Sequence, residues 1–432
     1  MPSDPLKTPS SEVDVTREPK RTGAFFRVLA SGVFVLGILA AWNVAVDPYF
    51  FYGAPRIEGF NQHKTRFFFG QFHTKPRLLR EASPQYLVLG TSTAGGSLRP
   101  DHPGFRGQRV FNYALAGSPP AVQARALKEA LRLGTLRSLI VCVDLFSYNA
   151  FLDQPLFRRW GRSSLASDDP LVNWAFIRQD LETGLARLFQ WGTLKDSVGT
   201  VLDQRHPGAG GAFRDLRSDG FWQNPRPVAL TQLYMFRTVE RQYLSTGWFP
   251  EPQRRFGFED ELGRSTIEEL RGLLVAARRA DVVVLVAVMP FHARYAEAMH
   301  EAGLWDDLDA LKRSLVGLAA EPVMKGGVQI WDFSGYHALS MDRVNGATVD
   351  TPWFEDAIHP SVATGDRMLH RMLQEPSGQS EFGRLLELAT LESSLAAAVA
   401  RRTEYQAANP ADVEDVRVTA QQTAAARLPR VP

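Results

Sequence analysis

Residues 86–98, YLVLGTSTAGGSL, decide the fold. Apolar side chains run up to Gly90 and stop; Thr91, Ser92 and Thr93 follow, then Gly95 and Gly96. A short β-rich run ending in small residues predicts a strand that feeds a tight turn and then a helix. The carboxyl end of such a strand is where open parallel sheets place their ligands. Ser92 has two readings there. It is a nucleophile presented on the turn, or it belongs to an ordinary helix start, because hydroxyl residues cap helices routinely.

The surroundings extend the pattern. QRVFNYAL predicts a second strand, PAVQARALKEALRLG a helix ending at Gly134, and SLIVCVDL a third strand. After a long interval come the helix TIEELRGLLVAARRA, the strand DVVVLVAVMP and a fifth strand in GGVQIWDFSG. Near-continuous apolar strands alternating with helices predict an α/β fold of three layers, a parallel sheet flanked by helices. The domain occupies about residues 81–377. Residues of about 150–262 form a helical insertion, with pieces such as NWAFIRQDLETGLARLFQWG and a glycine-rich RHPGAGGAF. Long insertions on such sheets often cap a site. Trp160, Trp191, Trp222 and Trp248 lie within it, as core of a helical lid or as faces for sugar rings. Residues 378–432 read as a helical, Ala-rich tail that becomes polar and disordered.

The chain has 432 residues, enough for one large core plus additions. Its 49 basic and 47 acidic residues balance to +2, which gives no case for nucleic acid, because phosphate binding needs a concentrated basic face. Cys142 is the single cysteine, so no intramolecular disulfide forms, and its apolar neighbours make it a small buried hydrophobe. Residues 28–46, VLASGVFVLGILAAWNVAV, carry no charge and are long enough to cross a bilayer. A signal peptide is the competing reading, but VDPYFFYG follows in place of a small-x-small cleavage site. Lys20, Arg21 and Arg27 precede the run, which puts the N-terminus in the cytoplasm and the rest outside. The expected layout is a disordered tail at 1–22, a transmembrane helix at 23–47, and a connecting segment at 48–80 rich in aromatics and bases. That segment packs on the domain or lies on the membrane; its composition suits both.

A serine needs a base within hydrogen-bond reach and an anchor for that base. WFEDAIHPS places Asp356 and His359 three residues apart on a loop, with Pro360 turning the chain into the helix SVATGDRMLHRML. A carboxylate there orients an imidazole whose other nitrogen faces outward. His292 in MPFHARY is the alternative base or a substrate contact; His300 and His337 have weaker contexts. In VFNYALAGSPP, Asn112 ends a strand, and Gly117 permits close backbone approach and a donated N–H. No HExxH, Cys/His cluster, P-loop or GxGxxG after a strand is present, so neither a metal nor a nucleotide cofactor is expected.

Taken in order, these pieces resemble the SGNH (GDSL-type) hydrolase superfamily. The family's serine corresponds to Ser92 in LGTSTAGG, its glycine to Gly117 in FNYALAG, and its Asp-x-x-His to Asp356 and His359. The resemblance covers roughly 83–150 and 265–375. It implies a flavodoxin-like parallel sheet and a Ser92–His359–Asp356 triad, with amides of Ser92 and Gly117 facing an oxyanion. Two departures stand out. GTS replaces GDS, and VDLFSYN puts Asp144 where the family has an amide donor, with Asn149 further along. A carboxylate donates only when protonated, so Asp144 instead suits anchoring nearby loops.

The single span, NVAVDP, GTS, the helical insertion, PFHARY and the late Asp-x-x-His resemble bacterial, envelope-facing, membrane-anchored SGNH-like proteins. Relatives of that type serve in O-acetylation of exopolysaccharides and D-alanylation of teichoic acids. The resemblance implies acyl-ester chemistry on an envelope polysaccharide, as an esterase or an O-acyltransferase. Its partners would be the glycan, an acyl donor and other membrane proteins of the assembly. The alternative is a non-catalytic scaffold or binding component of such an assembly.

Overall fold

The computed structural model describes residues 19–152, 174–205, 215–223, 231–251, 254–344, 346, 350–375 and 380–427. Helix α1, Pro19–Val46, contains the apolar run Gly23–Val46, which is long and apolar enough to cross a membrane; it is exposed from Gly23 to Ile38, while Asn43 and Val46 near its end are buried against the domain. Of the tail expected at 1–22, residues 1–18 lie outside the described residues, and 19–22 are helical, because the helix starts at Pro19, before the expected span.

The chain then builds α2 (Gln71–Ala82), β1 (Tyr86–Leu89), α3 (Ser92–Ser97), β2 (Val110–Asn112), α4 (Pro120–Arg132) and β3 (Ser138–Val143). The insertion supplies α5 (Trp174–Phe189), α6 (Trp191–Arg205), the two-stranded pair β4 (Asp215–Leu216) and β5 (Trp222–Gln223), and α7 (Gln232–Gln242). The domain resumes with α8 (Thr266–Arg279), β6 (Val283–Val288), α9 (Ala293–Glu301), α10 (Trp305–Ala319), β7 (Val328–Asp332) and α11 (Val362–Leu373). It closes with β8 (Arg384–Leu386), α12 (Leu391–Ala408) and α13 (Pro410–Arg427). Local signals explain the boundaries. Ser265 caps α8 by accepting from Glu268 N–H, acidic residues fill its first turn, and Arg278 and Arg279 its last.

The six-stranded sheet runs β2-β1-β3-β6-β7-β8. The first five strands are parallel; β8 joins β7 antiparallel. This is α/β, as expected. The chain leaves β1 in one direction to reach β2 and in the other to reach β3, so the strand order reverses between β1 and β3, and ligands bind at such a point. Strand residues alternate between two cores. Leu87, Leu89, Val141, Val143, Val284 and Val286 face one; Val88, Ile140, Cys142, Leu285 and Ala287 face the other. Cys142 is the buried hydrophobe its context predicted.

Two expectations are settled or corrected by packing. The connecting segment lies on the domain: Phe50 and Phe67 enter the core, and Lys64 Nζ donates to the Val46 carbonyl. Residues 380–427 are not a tail. β8 extends the sheet, and Leu391, Leu395, Tyr405 and Val416 are core residues.

Candidate active site

The turn after β1 is built by exclusion. Gly90 has φ +157, and a Cβ there would meet Cys142 Cβ at 2.7 Å and Ala94 Cβ at 2.9 Å. The strand end therefore presses directly on β3 and on α3. Thr91 caps α3, and Gly95 lets the helix approach the Trp222 ring so closely that a Cβ would lie 2.7 Å from it. Of the residues of α3, Ser92 alone is not buried.

Opposite it, the loop before α11 is tightly folded. Glu355 N–H donates to the His359 carbonyl, Ser361 N–H donates to Trp353 O, and Ser361 caps α11. His359 Nε2 lies 2.8 Å from Ser92 Oγ. Its Nδ1 lies 2.7 Å from Asp356 Oδ2 and 2.9 Å from Oδ1. A carboxylate only accepts, so Nδ1 carries the proton and Nε2 accepts from the Ser92 hydroxyl. Asp356 is buried, and burial alone would raise its carboxyl; the His359 ring and the N–H groups of Ile358 and His359 hold it below the ordinary value instead.

No protein-family model matches this chain, and no curated protein matches it. The site stands on its geometry.

Gly117, at φ +65, sits in the turn after β2, and this turn is tied to the nucleophile strand. Leu115 N–H and Ser118 Oγ both donate to the Gly90 carbonyl, two residues before Ser92. Asn112 does not face a substrate space. Its Nδ2 donates to the Ala94 and Leu98 carbonyls and its Oδ1 accepts from Ala114 N–H, so it holds α3 against the β2 turn. Asp144 is buried beneath the turn. Its carboxylate accepts from Thr91 Oγ1 at 2.7 Å and Thr93 Oγ1 at 2.9 Å, the hydroxyls on either side of Ser92. It anchors the nucleophile turn through these two side-chain hydroxyls. Burial pushes its carboxyl up to about 6, against the lowering effect of the two hydroxyls and the His359 ring.

His292 is neither base nor substrate contact. It is fully buried; Nδ1 accepts from Arg294 N–H, so Nε2 carries the proton and donates to the Asp342 carbonyl. Burial lowers its ring to about 3. Its backbone N–H donates to Ala357 O, so it supports the Asp356–His359 loop from behind. Asn149 likewise staples the ends of the insertion, bonding Trp248 O and Arg255 O. Trp222 and Trp248 are buried packing residues, Trp191 is exposed, and Trp160 lies outside the described residues.

Lys75 on α2 escaped the sequence reading. It is fully buried, and its Nζ donates to the Asn112 and Ala114 carbonyls, at 3.0 and 2.5 Å, under the turn that leads to Gly117. Its signal was its spacing: it shares a helical face with Leu78 and Leu79, both core residues. Gln232 at the start of α7 was missed as well. It bonds Thr351 and Phe354 carbonyls and accepts from the N–H groups of Asp350 and Thr351, so the insertion supports the histidine loop.

Proposed function

We propose that this chain carries out serine-dependent acyl-ester chemistry on a cell-envelope polysaccharide, in the manner of SGNH hydrolases, with Ser92, His359 and Asp356 as its triad. The observation that carries the reading is the continuous chain Ser92 Oγ–His359 Nε2, His359 Nδ1–Asp356 Oδ2, at 2.8 and 2.7 Å, at the carboxyl edge of the sheet beside the point where strand order reverses. Ser92 Oγ attacks the ester carbonyl while His359 Nε2 takes its proton. Asp356 keeps the ring in the useful tautomer and balances the imidazolium. Backbone N–H groups at Ser92 and at the Gly117 turn face the developing oxyanion. The tetrahedral intermediate expels the alcohol oxygen, which takes the proton from Nε2, and leaves acyl-Ser92. Water or a sugar hydroxyl then gives its proton to Nε2 and attacks the acyl carbon; the second tetrahedral intermediate expels Ser92 Oγ, which takes that proton back from Nε2, and releases the acid or the new ester. The first acceptor makes an esterase, the second an O-acyltransferase. In this reading α1 crosses the bacterial inner membrane with its basic N-terminal flank in the cytoplasm, and the domain works on the periplasmic side with an envelope glycan, an acyl donor and other membrane proteins of the assembly.

Full-length protein in detergent, treated with a fluorophosphonate, should form one adduct on Ser92, located by mass spectrometry. Ser92→Ala should abolish it, and His359→Ala should slow it by about 10²-fold or more. A well-folded wild-type protein without the adduct overturns the catalytic reading and leaves a scaffold or binding component.

A further inference from the structure

The insertion carries a surface that the proposed chemistry does not use. On α5, Leu181, Leu185 and Phe189 recur every four residues, and all three are exposed. On α6, Trp191, Val198 and Leu202 fall on one face at spacings of seven and four, also exposed, with Trp191 at 76%. A helical hairpin in a water-soluble lid buries such stripes against its own domain. Here the buried side of the hairpin is spent on α1 and on the segment that follows it. Asn43, in the last turn of α1, donates through Nδ2 to Leu188 O on α5 and accepts through Oδ1 from Ser197 Oγ on α6. Tyr52 Oη donates to Gly184 O, and Tyr49 Oη donates to Asp196.

These bonds fix the height of the hairpin. Its closed end, at residues 189–191, lies beside the final turns of the membrane-length helix, where burial on α1 already begins at Leu39. The exposed apolar stripes therefore continue the exposed apolar surface of α1. Trp191 at the tip is the residue type that favours the bilayer interface, and exposed Lys195, one turn further along α6, suits lipid phosphates.

We propose that the α5–α6 hairpin docks into the bilayer leaflet adjoining the domain, as an interfacial element beside α1, and so holds the Ser92 site at a set height and orientation over the membrane. Continuity with the span favours lipid over a second protein as occupant. The proposal rests on α1 lying in a bilayer, so the test reads the span separately. Full-length protein in phosphatidylethanolamine/phosphatidylglycerol nanodiscs would carry one added cysteine, by Leu185→Cys, Trp191→Cys, Leu202→Cys, Val33→Cys or Leu262→Cys, labelled with an environment-sensitive dye. Cys142 is buried and stays unlabelled. Phospholipids with a shallow nitroxide should cut emission about twofold or more at 185, 191 and 202, as an apolar face sunk into the headgroup boundary requires. Leu262, 79% exposed in a loop, should be unaffected. Hairpin sites that behave like Leu262 while Val33 is quenched by a deep nitroxide overturn the docking and leave the span intact. Hairpin sites shielded from aqueous iodide yet untouched by lipid nitroxide mean that a protein covers the face, which also overturns it. An unquenched Val33 removes the span, and the docking with it.

Discussion

Asp144 shows how one residue can look wrong in the sequence and make sense in the structure. In the sequence it is a carboxylate where an amide donor is expected, able to donate only when protonated; in place it is the buried acceptor that fixes the hydroxyls flanking Ser92. A carboxylate without a cationic partner is costly to bury, and its carboxyl is accordingly pushed up from 3.8 to about 6. The folded state thus holds this proton more tightly than the unfolded chain. The stability it contributes is complete below about pH 4 and is lost as pH rises through about 6, a total of ~3 kcal/mol. Denaturant titrations of wild type and Asp144→Asn in detergent should show the wild-type advantage falling by that amount between pH 4 and 7. Buried His292 and His337 and half-buried His300, whose rings are lowered, titrate in the opposite sense and cancel in the difference. Asp356 is held below its ordinary value, so its contribution disappears only at more acid pH. Ser92, Asp356 and His359 were legible because their chemistry is local: a strand end, and a spacing of three before a proline. Asn112, Asp144 and Lys75 depend on partners far along the chain, and spacing alone does not reveal such partners.

Between elements, the triad depends on how closely α11 lies on α3. Gly365 in the first turn of α11 sits against the Ser97 carbonyl, where a Cβ would come within 2.0 Å of the oxygen. Ser97 Oγ in turn donates to Thr93 O, and Arg99 Nε donates to Asp366 at 2.6 Å, so the histidine helix and the serine helix form one unit. Gly365→Ala must push α11 away. Overpacking of this kind costs about 1–3 kcal/mol. Moving His359 about 1 Å further from Ser92 costs on the order of 10²-fold in reactivity. Fluorophosphonate labelling should therefore fall far more than the melting temperature does. Gly272→Ala on α8, where a Cβ meets nothing within 4 Å, should leave labelling unchanged and stability equal or slightly improved. At this scale the five parallel strands were readable from their apolar runs. The strand β8 was not, because three residues, RLL, carry no period and become a strand only by pairing with β7.

For the molecule as a whole, the C-terminal helices raise the same question of partners. Their alanine-rich, evenly polar sequences mark no buried face, so they resemble a solvated tail. The anchor lies elsewhere, in the PFHARY segment. Arg294, fully buried, makes a paired contact with the equally buried Glu240 of α7 and reaches Asp412 and Asp415 of α13; Arg402 of α12 pairs with Glu297 of α9. Burial disfavours the Arg294 charge, but the carboxylates, Glu240 foremost, keep it more firmly protonated than usual. Removing one member of such a group leaves its partner charged and dry, which costs about 3–5 kcal/mol, whereas replacing a buried pair by apolar residues of similar volume is often neutral. Arg294→Met should therefore lower stability by about that amount, and Arg294→Met with Glu240→Leu should recover most of it, because Asp412 and Asp415 retain access to water. Denaturant unfolding of the three proteins in detergent checks this. Equal losses in the single and double variants would mean that α13 is held by the cation itself. Because α7 also supports the histidine loop through Gln232, Ser92 labelling should follow the same order: reduced in the single variant and restored in the double.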